Sequence, residues 1–574
     1  MPEITLDELL QEVKAKEEKM GESPDVTAKI NLTATRLEQT ARSGSVKILT
    51  DYDADGICSA FIMQRTIQSI APDTHVEVQC NDRRGSYGVS SEIESDGVSK
   101  YIVLDMGSNQ LQQLQETLGD DVIIIDHHLI EEQINIDAFN YNTRLLNPHS
   151  MSYEEGNSAD YCATGLAYRL YQQMQERIPE MIHSEKQDNT IAIMAAIGTA
   201  ADMVDVMDMR SNNRQILKDG VEKINNADEN NIEYPIGYML ATAGIGQDDV
   251  TAHDVAFNVG AFLNAASRMS EILQENGAQR MYDAISSGDN PATYQQIDIL
   301  AEINKDRKAY ISELTGTESY RQFLEEQRNN PNNIALFELP HDTPAAFAGL
   351  VAGKLAEATD KAIICVTYSS SRECYTGSGR NIASNETGLK DFLDSLDLSD
   401  KMQYGGHTDA IGISRLDDIR FLESRLEANI NAMERKSGDR LVLKMSPQEL
   451  SSPETLEKMK AIEPLGTGLK LPPMEIEGKE QYRNGLYVKK NPSWKKVRIK
   501  ADDTTLNIPD WSYSPASYPQ DSKGNIKILA EVGLNSFNGQ SVELTAKFDR
   551  SFQQERQKEL QHDKPAPKKG AERE

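Results

Sequence analysis

The chain has 574 residues and a formal net charge of −31, and this length allows three or four domains. So strong a negative charge argues against binding to nucleic acid through bulk charge, so any such contact has to be local. No apolar run is long enough to span a membrane and the first residues lack a signal-peptide segment, so we expect a cytoplasmic protein without membrane contact. Reduced, mostly buried thiols are expected of the scattered cysteines Cys58, Cys80, Cys162, Cys365 and Cys374.

Residues 1–43 are polar and charged, with apolar residues spaced as on one face of a helix at Leu6, Leu9, Leu10 and Val13. We predict a helical arm that packs on the first domain. From residue 44 to residue 270, short apolar runs alternate with helix-like segments. This alternation is typical of an α/β domain built on a parallel sheet.

The first strand of this domain ends in a cluster of carboxylates. The apolar run Val46–Leu49 is followed by Asp51, Asp53 and Asp55 at alternate positions, and a helix-like stretch begins close behind. Carboxylates held this close repel one another, which raises their pKa values unless a cation lies between them. Oxygen ligands suit Mg²⁺ or Mn²⁺, so the sequence predicts a divalent metal site at this strand end.

Two further strands end in the same way, and a helix adds a fourth element. Fully apolar runs indicate buried parallel strands, whose carboxyl ends meet at one edge of the sheet. A single Asp in such a place is usually a helix N-cap, and a single His is usually structural. Because four such elements follow in order, we favour one shared site. Its further members are Asp105 after Tyr101–Leu104, Asp126, His127 and His128 after Val122–Ile125, and Asp202 after Ile191–Ala201.

The rest of the chain divides into four segments. Residues 271–330 lack strand-like runs and predict a long helical connector, with a plain solvated helix as the alternative. Residues 331–437 again alternate strand-like and helix-like runs, which predicts a second α/β lobe. Residues 438–550 hold short β runs between Gly, Asn and Pro turns and predict a small β-barrel. Residues 551–574 are polar and charged, and we predict a disordered tail.

A basic island lies within the predicted barrel. The stretch 481–500 contains no acidic residue, and aromatic residues are interleaved with its lysines and arginines. A basic groove with stacking rings is the usual means of binding a single nucleic-acid strand, so we favour that role over an exposed hairpin whose lysines only aid solubility. The candidate residues are Lys489, Lys490, Trp494, Lys495, Lys496 and Arg498.

Taken together, these motifs resemble the DHH phosphoesterase superfamily, named for the triplet seen here at Asp126, His127 and His128. The resemblance covers roughly residues 45–550 and is strongest to the single-strand-specific 5′→3′ DNA exonucleases of that superfamily. Further motifs that carry it are Asn147-Pro148, Gly198–Val204, Leu263–Arg268, Gly377–Arg380 and Gly405–Gly412, the last two typical of a DHHA1 domain. The chain departs from the family pattern at Leu49, Phe262 and Ser267, where many members have His, Arg and Gly.

The resemblance implies an α/β protein with DHH and DHHA1 lobes, a helical connector and an OB-fold domain over residues 438–550. It also implies two divalent ions, Mn²⁺ or Mg²⁺, and a role for each carboxylate. Asp105 would bridge the ions, Asp126 would ligate or orient a histidine, and His128 would face the scissile phosphate. A hydrogen-bonded core residue is the alternative for His128. The implied metal ligands are Asp53, Asp55, Asp105, His127 and Asp202, with Asp51 as a weaker candidate.

Phosphate recognition is implied for a second group of residues. Small residues around Ser378 let backbone amides approach an anion, and an arginine forks onto phosphate oxygens. A glycine-rich turn with a surface arginine is the alternative, and spacing does not choose between Arg83 and Arg84. The candidates are Arg268, Asn264, Ser378, Arg380, His407 and Arg83.

The leading hypothesis is a metal-dependent exonuclease that degrades single-stranded DNA 5′→3′ to 5′-mononucleotides in repair and recombination. The enzymatic alternative is a phosphodiesterase of the same superfamily that acts on short oligoribonucleotides or cyclic dinucleotides. A non-enzymatic replication scaffold is a third reading, which the surviving carboxylates and histidines disfavour. The implied partners are single-stranded DNA, single-strand-binding protein and a helicase, and we expect a monomer.

Overall fold

The structure is a computed structural model. It describes residues 2–85, 87–130, 143–150, 158–246, 249–398, 400–436, 440–480, 495–501, 503–510, 518–535 and 540–562. Of residues 495, 496, 561 and 562 it describes the backbone only.

The N-terminal arm contains β1 (Glu3–Ile4), α1 (Leu6–Glu17) and α2 (Pro24–Ala41). Thr5 and Ser23 cap the two helices through their side-chain oxygens. Helix α2 packs on the first α/β domain, whereas β1 pairs in parallel with the later strand Val442–Leu443. The arm therefore also joins the C-terminal part of the chain, a contact that the sequence did not predict.

The first domain is built on a fully parallel sheet with the strand order β3–β2–β4–β5–β6. Strands β4 and β5 are buried almost throughout, as their unbroken apolar runs require. Because β4 lies between β2 and β5, the residues that follow these three strands meet at one edge. The strands and the helices between them are β2 (Ser45–Thr50), α3 (Ala54–Ile70), β3 (His75–Cys80), β4 (Lys100–Leu104), α4 (Leu111–Leu118), β5 (Val122–Ile125) and β6 (Leu145–Leu146).

A helical layer covers this sheet and leads into the connector. The central helix α6 packs against α3 and α7 and is buried along most of its length. Asp202 is its C-cap, so the buried helix delivers this carboxylate to the sheet edge. The helices are α5 (Ala163–Arg177), α6 (Glu185–Ala201), α7 (Asn213–Asn225), α8 (Tyr234–Thr242), α9 (Ala252–Asp254) and α10 (Ala261–Arg268), with a π-helical turn over Val255–Gly260.

The connector is helical over its described length. Its longest helix, α13, has 25 residues and places the buried Arg307 between the two lobes. The connector helices are α11 (Ser270–Leu273), α12 (Gly277–Ser286), α13 (Pro291–Thr315) and α14 (Glu318–Asn329).

The second lobe has a mixed sheet with the strand order β10–β11–β9–β8–β7. Strands β7 and β8 are parallel and the other neighbours are antiparallel. Ser378 and Arg380 lie on β9, and His407 ends β10. The elements are β7 (Ile334–Glu338), α15 (Ala348–Thr359), β8 (Ala362–Ser369), β9 (Cys374–Arg380), α16 (Leu389–Asp394), β10 (Met402–His407), β11 (Ala410–Leu416) and α17 (Ile419–Ala428).

The C-terminal module is an antiparallel sheet with the strand order β15–β14–β13–β16–β17. Strand β15 lies beside β17, so the sheet nearly closes into the five-stranded barrel of an OB fold. The predicted fold class, two α/β lobes with a helical connector and an OB-type barrel, is confirmed. The elements are β12 (Val442–Leu443), α18 (Pro453–Ile462), β13 (Met474–Glu480), β14 (Lys495–Ala501), β15 (Thr504–Asp510), β16 (Asn525–Asn535) and β17 (Ser541–Lys547).

The chain beyond the barrel corrects the prediction of a tail that is disordered from residue 551. Helix α19 (Arg550–His562) begins with Asp549 accepting a hydrogen bond from the backbone of Phe552. Phe552 is buried, and the Arg550 side chain donates to the carbonyls of Asn330, Pro331 and Asn332. Tertiary contacts thus hold a segment whose own composition is too polar to form a core. Residues 563–574, the rest of the predicted tail, lie outside the described part of the chain.

The five cysteines are all buried and unpaired. In the part of the chain that the structure describes, no helix combines the length and apolar character that a membrane crossing needs.

Candidate active site

The candidate site lies at the carboxyl edge of the parallel sheet. Asp51 follows β2, Asp105 follows β4 and Asp126 follows β5, and the strand order makes these three ends neighbours. Burial is deep here, with Asp51, Asp105 and Asp126 at most 3% exposed. Ionised carboxylates in such a place need partners, because burial penalises their charge.

Asp53 and Asp55 shape the turn between β2 and α3. The Asp53 side chain caps α3 by accepting from the amides of Asp55 and Gly56, at 3.0 and 3.2 Å. Gly56 is required there, because a Cβ on it would lie 2.6 Å from the carbonyl oxygen of Asp51. Asp55 accepts at 2.8 Å from the amides of Ala163 and Thr164, so the start of α5 fixes this carboxylate.

The backbone of Asp105 has an uncommon conformation. Its φ is +60°, a left-handed conformation that is uncommon for a residue other than glycine. Oδ1 of Asp105 is buried and lacks a hydrogen-bond partner among the described residues, and so does Oδ1 of Asp51. Burial, and then the charge of neighbouring carboxylates, raises the pKa of both Asp105 and Asp51 well above the usual range.

His127 reaches into the middle of these carboxylates. Its Nε2 lies 3.2 Å from Oδ1 of Asp105 and 3.7 Å from Oδ2 of Asp55, and its Nδ1 lies 3.8 Å from Oδ2 of Asp202. Burial lowers the pKa of His127, but the charges of Asp202 and Asp55 outweigh it and the net shift is upward. For Asp202, burial raises the pKa more than the nearby His127 lowers it.

Two overlapping groups of ligand atoms follow from this geometry. Asp55, Asp105 and His127 form one group, and Asp51, Asp53 and Asp105 form the other, with the atoms of each group within 4.8 Å of one another. Asp105 is common to both. The donor set of carboxylate and imidazole suits Mn²⁺ or Mg²⁺, and the orphaned buried oxygens of Asp51 and Asp105 are what a cation would satisfy. The residues present therefore fit a centre of two ions.

His128 lies at the edge of this centre, with its Nδ1 4.0 Å from Oδ1 of Asp105, and is held by two closer partners. Its Nδ1 lies 2.8 Å from Oδ1 of Asp126, and the Tyr87 hydroxyl lies 2.9 Å from its Nε2. Burial raises the pKa of Asp126, but His128 and the hydrogen bonds to Asp126 outweigh this and hold the pKa well below its usual range. Asp126 is thus a carboxylate that orients a histidine, as in many metal sites.

His407 crosses from the second lobe to the histidines of the first. Its ring stacks against His127 and His128, with centroid distances of 5.7 and 5.3 Å. Burial and the two neighbouring imidazoles lower the pKa of His407 to about 4. The site is therefore a cleft with walls from both lobes.

An arginine cluster, formed by Arg83, Arg268, Arg307 and Arg380, adjoins the carboxylates. Burial, and then the charges of Arg83, Arg307 and Arg380, lowers the pKa of Arg268 to about 9. In the described part of the chain, their hydrogen-bond partners are carbonyl, amide and hydroxyl oxygens and not carboxylates. Guanidinium groups gathered without a hydrogen-bonded carboxylate among the described residues can bind an anion.

Small residues make room for this cluster. A Cβ on Gly349 would lie 2.8 Å from Nη2 of Arg380 and 3.1 Å from the hydroxyl oxygen of Ser378, so α15 approaches β9 closely only because this residue is glycine. Arg83 lies over the ring of Tyr52, with its guanidinium carbon 4.2 Å from the centroid. Asn264 already has a hydrogen-bond partner in the protein, because its side-chain oxygen accepts from the amide of Ala54.

The predicted barrel residues are described only in part. Lys489, Lys490 and Trp494 lie outside the described residues, and only the backbone of Lys495 and Lys496 is described. Arg498 is half-buried on β14, and its Nε lacks a hydrogen-bond partner in the described part of the chain.

Sequence reasoning missed three members of the site. Tyr87 contacts His128, Arg307 joins the arginine cluster from the connector, and Cys162 lies beside the carboxylates. None of them belongs to a motif of the kind that drew attention to the aspartates. Arg84, the open alternative to Arg83, instead pairs with Asp82 on the surface.

The fold and this site define a class: an α/β protein whose Asp-His-His triplet ends a strand of a parallel sheet beside further carboxylates. Residues 45–199 match the DHH family, N-terminal domain. The resemblance drawn from the motifs is thereby confirmed for residues 45–199 of the first lobe.

Two curated relatives carry a more specific name. The single-stranded-DNA-specific exonuclease RecJ of Thermus thermophilus is 25% identical over 456 residues, which are 76% of this chain and 59% of the relative. RecJ of Bacillus subtilis is 24% identical over 407 residues, 68% of this chain and 46% of the relative. The chain thus spans about half the length of the curated relatives it matches. The crystal structure of Thermus thermophilus RecJ with Mn²⁺ has the same fold, with a TM-score of 0.66 and 20% identity over 90% of this chain and 71% of that one.

Proposed function

We propose that this chain is a metal-dependent exonuclease specific for single-stranded DNA, which degrades 5′→3′ to 5′-mononucleotides in DNA repair and recombination. The observation that carries the proposal is the adjacency of the carboxylate centre and the arginine cluster. Arg83 lies over Tyr52, which separates Asp51 from Asp53. The similarity to relatives named single-stranded-DNA-specific exonucleases supports the same substrate.

The arginine cluster supports cleavage at a strand end. A terminal phosphate carries more charge than an internal phosphodiester, and guanidinium groups bind it through paired hydrogen bonds. With that phosphate held at Arg83, Arg268 and Arg380, the adjacent carboxylate centre is the place for the next phosphodiester. One nucleotide would be released in each cycle.

The residues around the scissile phosphate then have separate tasks. When bound, two divalent ions would offset the charge of the carboxylates and the phosphate and activate a water for attack. Asp53, Asp55, Asp105, His127 and Asp202 would hold the ions, with Asp51 beside them. Asp126 orients His128 through its 2.8 Å contact with Nδ1. We assign to His128 the stabilisation of phosphate charge or the delivery of a proton to the leaving oxygen.

The barrel supports a long strand as the substrate, in preference to a dinucleotide. Residues 481–494 connect β13 to β14, the first two strands of the barrel, and this connection is one of the ligand-binding loops of OB folds. Lys489, Lys490 and Trp494 belong to it, and Lys495, Lys496 and Arg498 follow on β14. We infer that this basic island guides the strand toward the cleft.

We also infer the setting in which the enzyme acts. The buried, unpaired cysteines suit a reducing compartment, which supports a cytoplasmic location. Single-strand-binding protein and a helicase are the predicted partners, and a monomer is the predicted state.

The test is digestion of a long single-stranded DNA labelled at either its 5′ or its 3′ end, with Mn²⁺ and with chelator. We expect early release of labelled mononucleotide from the 5′ label alone, and none with chelator. The same DNA as a duplex is the matched control and should be resistant. Hydrolysis of cyclic dinucleotides without cleavage of long DNA would contradict the proposal and assign the chain to small substrates.

A further inference from the structure

A thiol lies among the carboxylates of the candidate metal centre. Sγ of Cys162 and carboxylate oxygens of Asp55 and Asp202 lie within 4.8 Å of one another. Cys162 is fully buried, so this sulfur faces the protein interior and the site. The metal ligands assigned above leave it without a role.

The position of the thiol is set by the start of α5. Cys162 is the N-cap of this helix, and its Sγ accepts from the amide of Gly165 at 3.4 Å. The same sulfur lies 3.7 Å from the hydroxyl of Thr199, on α6, three residues before Asp202. The two helices that fix Asp55 and carry Asp202 therefore also fix the sulfur.

A second observation ties the sulfur to an ion site. Asp55 belongs both to the group with Cys162 and Asp202 and to the group with Asp105 and His127. Oδ1 of Asp105 is buried without a hydrogen-bond partner in the described part of the chain. It lies 3.2 Å from Nε2 of His127, within the group that Asp55, Asp105 and His127 form. An ion bound at Asp55 would therefore have both hard oxygen ligands and one soft sulfur within reach.

We propose that Cys162 is a ligand for thiophilic divalent ions at the position formed by Asp55 and Asp202. Thiolate ligands favour Zn²⁺, Cd²⁺ and Co²⁺, whereas Mg²⁺ favours oxygen. In the binding step the S–H bond breaks, the proton passes to solvent and a sulfur–metal bond forms. The consequence is a centre that binds thiophilic ions more tightly than Mg²⁺.

This inference rests on the proposed metal centre but not on its substrate, so the test uses the full chain without DNA. Co²⁺ is titrated into metal-free protein and followed by absorption, since a cobalt–thiolate bond gives charge-transfer absorption in the near ultraviolet. We expect this band in the wild type and its loss in Cys162→Ser, while the visible cobalt bands remain. Serine is suitable because its hydroxyl is itself a strong N-cap and preserves the start of α5.

Cys58→Ser is the matched control, because Cys58 is a buried thiol on the neighbouring α3 that belongs to no metal-capable group among the described residues. It should keep the charge-transfer band. We expect Cys162→Ser to weaken Cd²⁺ binding more than about tenfold and Mg²⁺ binding much less.

Three outcomes would overturn the inference. Co²⁺ binding without a charge-transfer band in the wild type would remove Cys162 from the ligands and leave the metal centre intact. A band that persists in Cys162→Ser would assign the sulfur to another residue. Absence of Co²⁺ binding altogether would remove the proposed metal centre as well. If Cys162→Ser fails to fold, ¹¹³Cd NMR of the wild type decides, because a cadmium ion with oxygen and nitrogen ligands alone would contradict the proposal.

Discussion

At the scale of single residues, the site shows how the same side chain takes different tasks in different surroundings. Asp55 is fixed by two amides of α5, whereas Oδ1 of Asp105 has no hydrogen-bond partner among the described residues. Asp126 is held ionised by His128, whereas burial among like charges opposes the ionisation of Asp105. The two buried carboxylates thus differ in their surroundings: Asp126 is hydrogen-bonded to a histidine, whereas Asp105 lies among like charges.

We predict that Asp105→Asn abolishes cleavage and stabilises the metal-free protein. Removing the carboxylate shared by both ligand groups should lower activity at least about 100-fold and weaken Mn²⁺ binding. Because Asp105 is buried among like charges, the neutral variant should melt at a higher temperature in chelator. Nuclease assays, Mn²⁺ titration calorimetry and thermal melts measure the three effects.

The control for this change is Asp205→Asn, because Asp205 belongs to no ligand group among the described residues. The asparagine retains the oxygen that accepts from the amide of Met207. It should keep nearly full activity. An Asp105→Asn protein with substantial activity would rule out the bridging role.

We predict that Arg380→Gln weakens the preference for a 5′-phosphorylated end over a 5′-hydroxyl end. A charge-assisted hydrogen bond contributes about 1.5–3 kcal/mol, so the preference should fall roughly tenfold or more. Relative kcat/KM on the two substrates measures it. Arg372→Gln is the matched control, because Arg372 is an exposed arginine of the same lobe that donates to the carbonyl of Arg84. An unchanged preference in Arg380→Gln would move end recognition elsewhere.

At the scale of elements, the position of Asp202 depends on how closely α6 packs against α7. Gly220 on α7 faces Ala196 on α6, and a Cβ on Gly220 would lie 2.2 Å from the Cβ of Ala196 and 2.8 Å from the carbonyl oxygen of Ala192. The helices can approach this closely only because residue 220 has no side chain. Packing of α6 is therefore coupled to the geometry of the ligand at its end.

We predict that two Gly→Ala changes in helices alter the stability of the protein in opposite directions. In Gly220→Ala the contact with α6 outweighs the gain in helix propensity, and the variant should lose about 1–3 kcal/mol of stability. In Gly353→Ala, on α15, no atom lies within 4 Å of the new Cβ, so the variant should gain about 0.5–1 kcal/mol. Thermal or urea denaturation measures both. A stabilising Gly220→Ala would show that α6 and α7 separate without cost.

At the scale of the whole molecule, a buried contact joins the first lobe to the segment that leads into the barrel. Arg214 is buried on α7 and donates to the carbonyls of Ile462 and Pro464 at 2.6 and 2.8 Å. Glu463 lies between these two residues, and its carboxylate accepts from the amide of Leu465 at 2.8 Å. Burial raises the pKa of Glu463 to about 7, although Arg214 lowers it in part.

The contribution of Glu463 to the stability of the protein should depend on pH in a definite direction. Because the folded state raises the pKa of Glu463, the contribution of this residue is most favourable below pH 4.5 and is lost as pH rises through about 7. Glu463→Gln should therefore raise the stability by about 3 kcal/mol at about pH 8, and by about 1 kcal/mol at about pH 5.5. Melting temperatures of both proteins at the two pH values measure it. An equal gain at both values would show that ionisation is not the cause.

The basic island should set the salt dependence of strand binding. Each phosphate contact contributes about 0.7 to the slope of log K against log salt for single strands. Replacing Lys489, Lys490, Lys495 and Lys496 by Gln should reduce both the affinity and this slope, as measured by fluorescence anisotropy. Gln at the exposed residues Lys14, Lys19, Lys308 and Lys401 is the control with the same change in net charge. If the two sets of substitutions changed the affinity and the salt slope equally, strand binding would depend on net charge alone.

Much of the first lobe follows from local patterns in the sequence. The short, mostly apolar runs predict β2, β4 and β5 within a residue or so of their ends, because such runs are typical of buried strands. The aspartates follow directly, since a residue after a parallel strand has to lie at the carboxyl edge. The polar start of α19 shows the opposite case, in which a helix depends on distant contacts of Arg550 and Phe552.

The sequence by itself determined the α/β lobes, the barrel and the candidate ligands from Asp51 to Asp202, because periodicity and strand-end position are local properties. Only the tertiary structure decided that Tyr87, Cys162 and Arg307 belong to the site. It also decided that the arginines predicted as candidates gather in one cluster. Arg83, Arg268, Arg307 and Arg380 come from three segments of the chain, and Cys162 and Tyr87 stand outside any motif. Contacts between residues so far apart depend on how the lobes pack, and no local pattern encodes that packing.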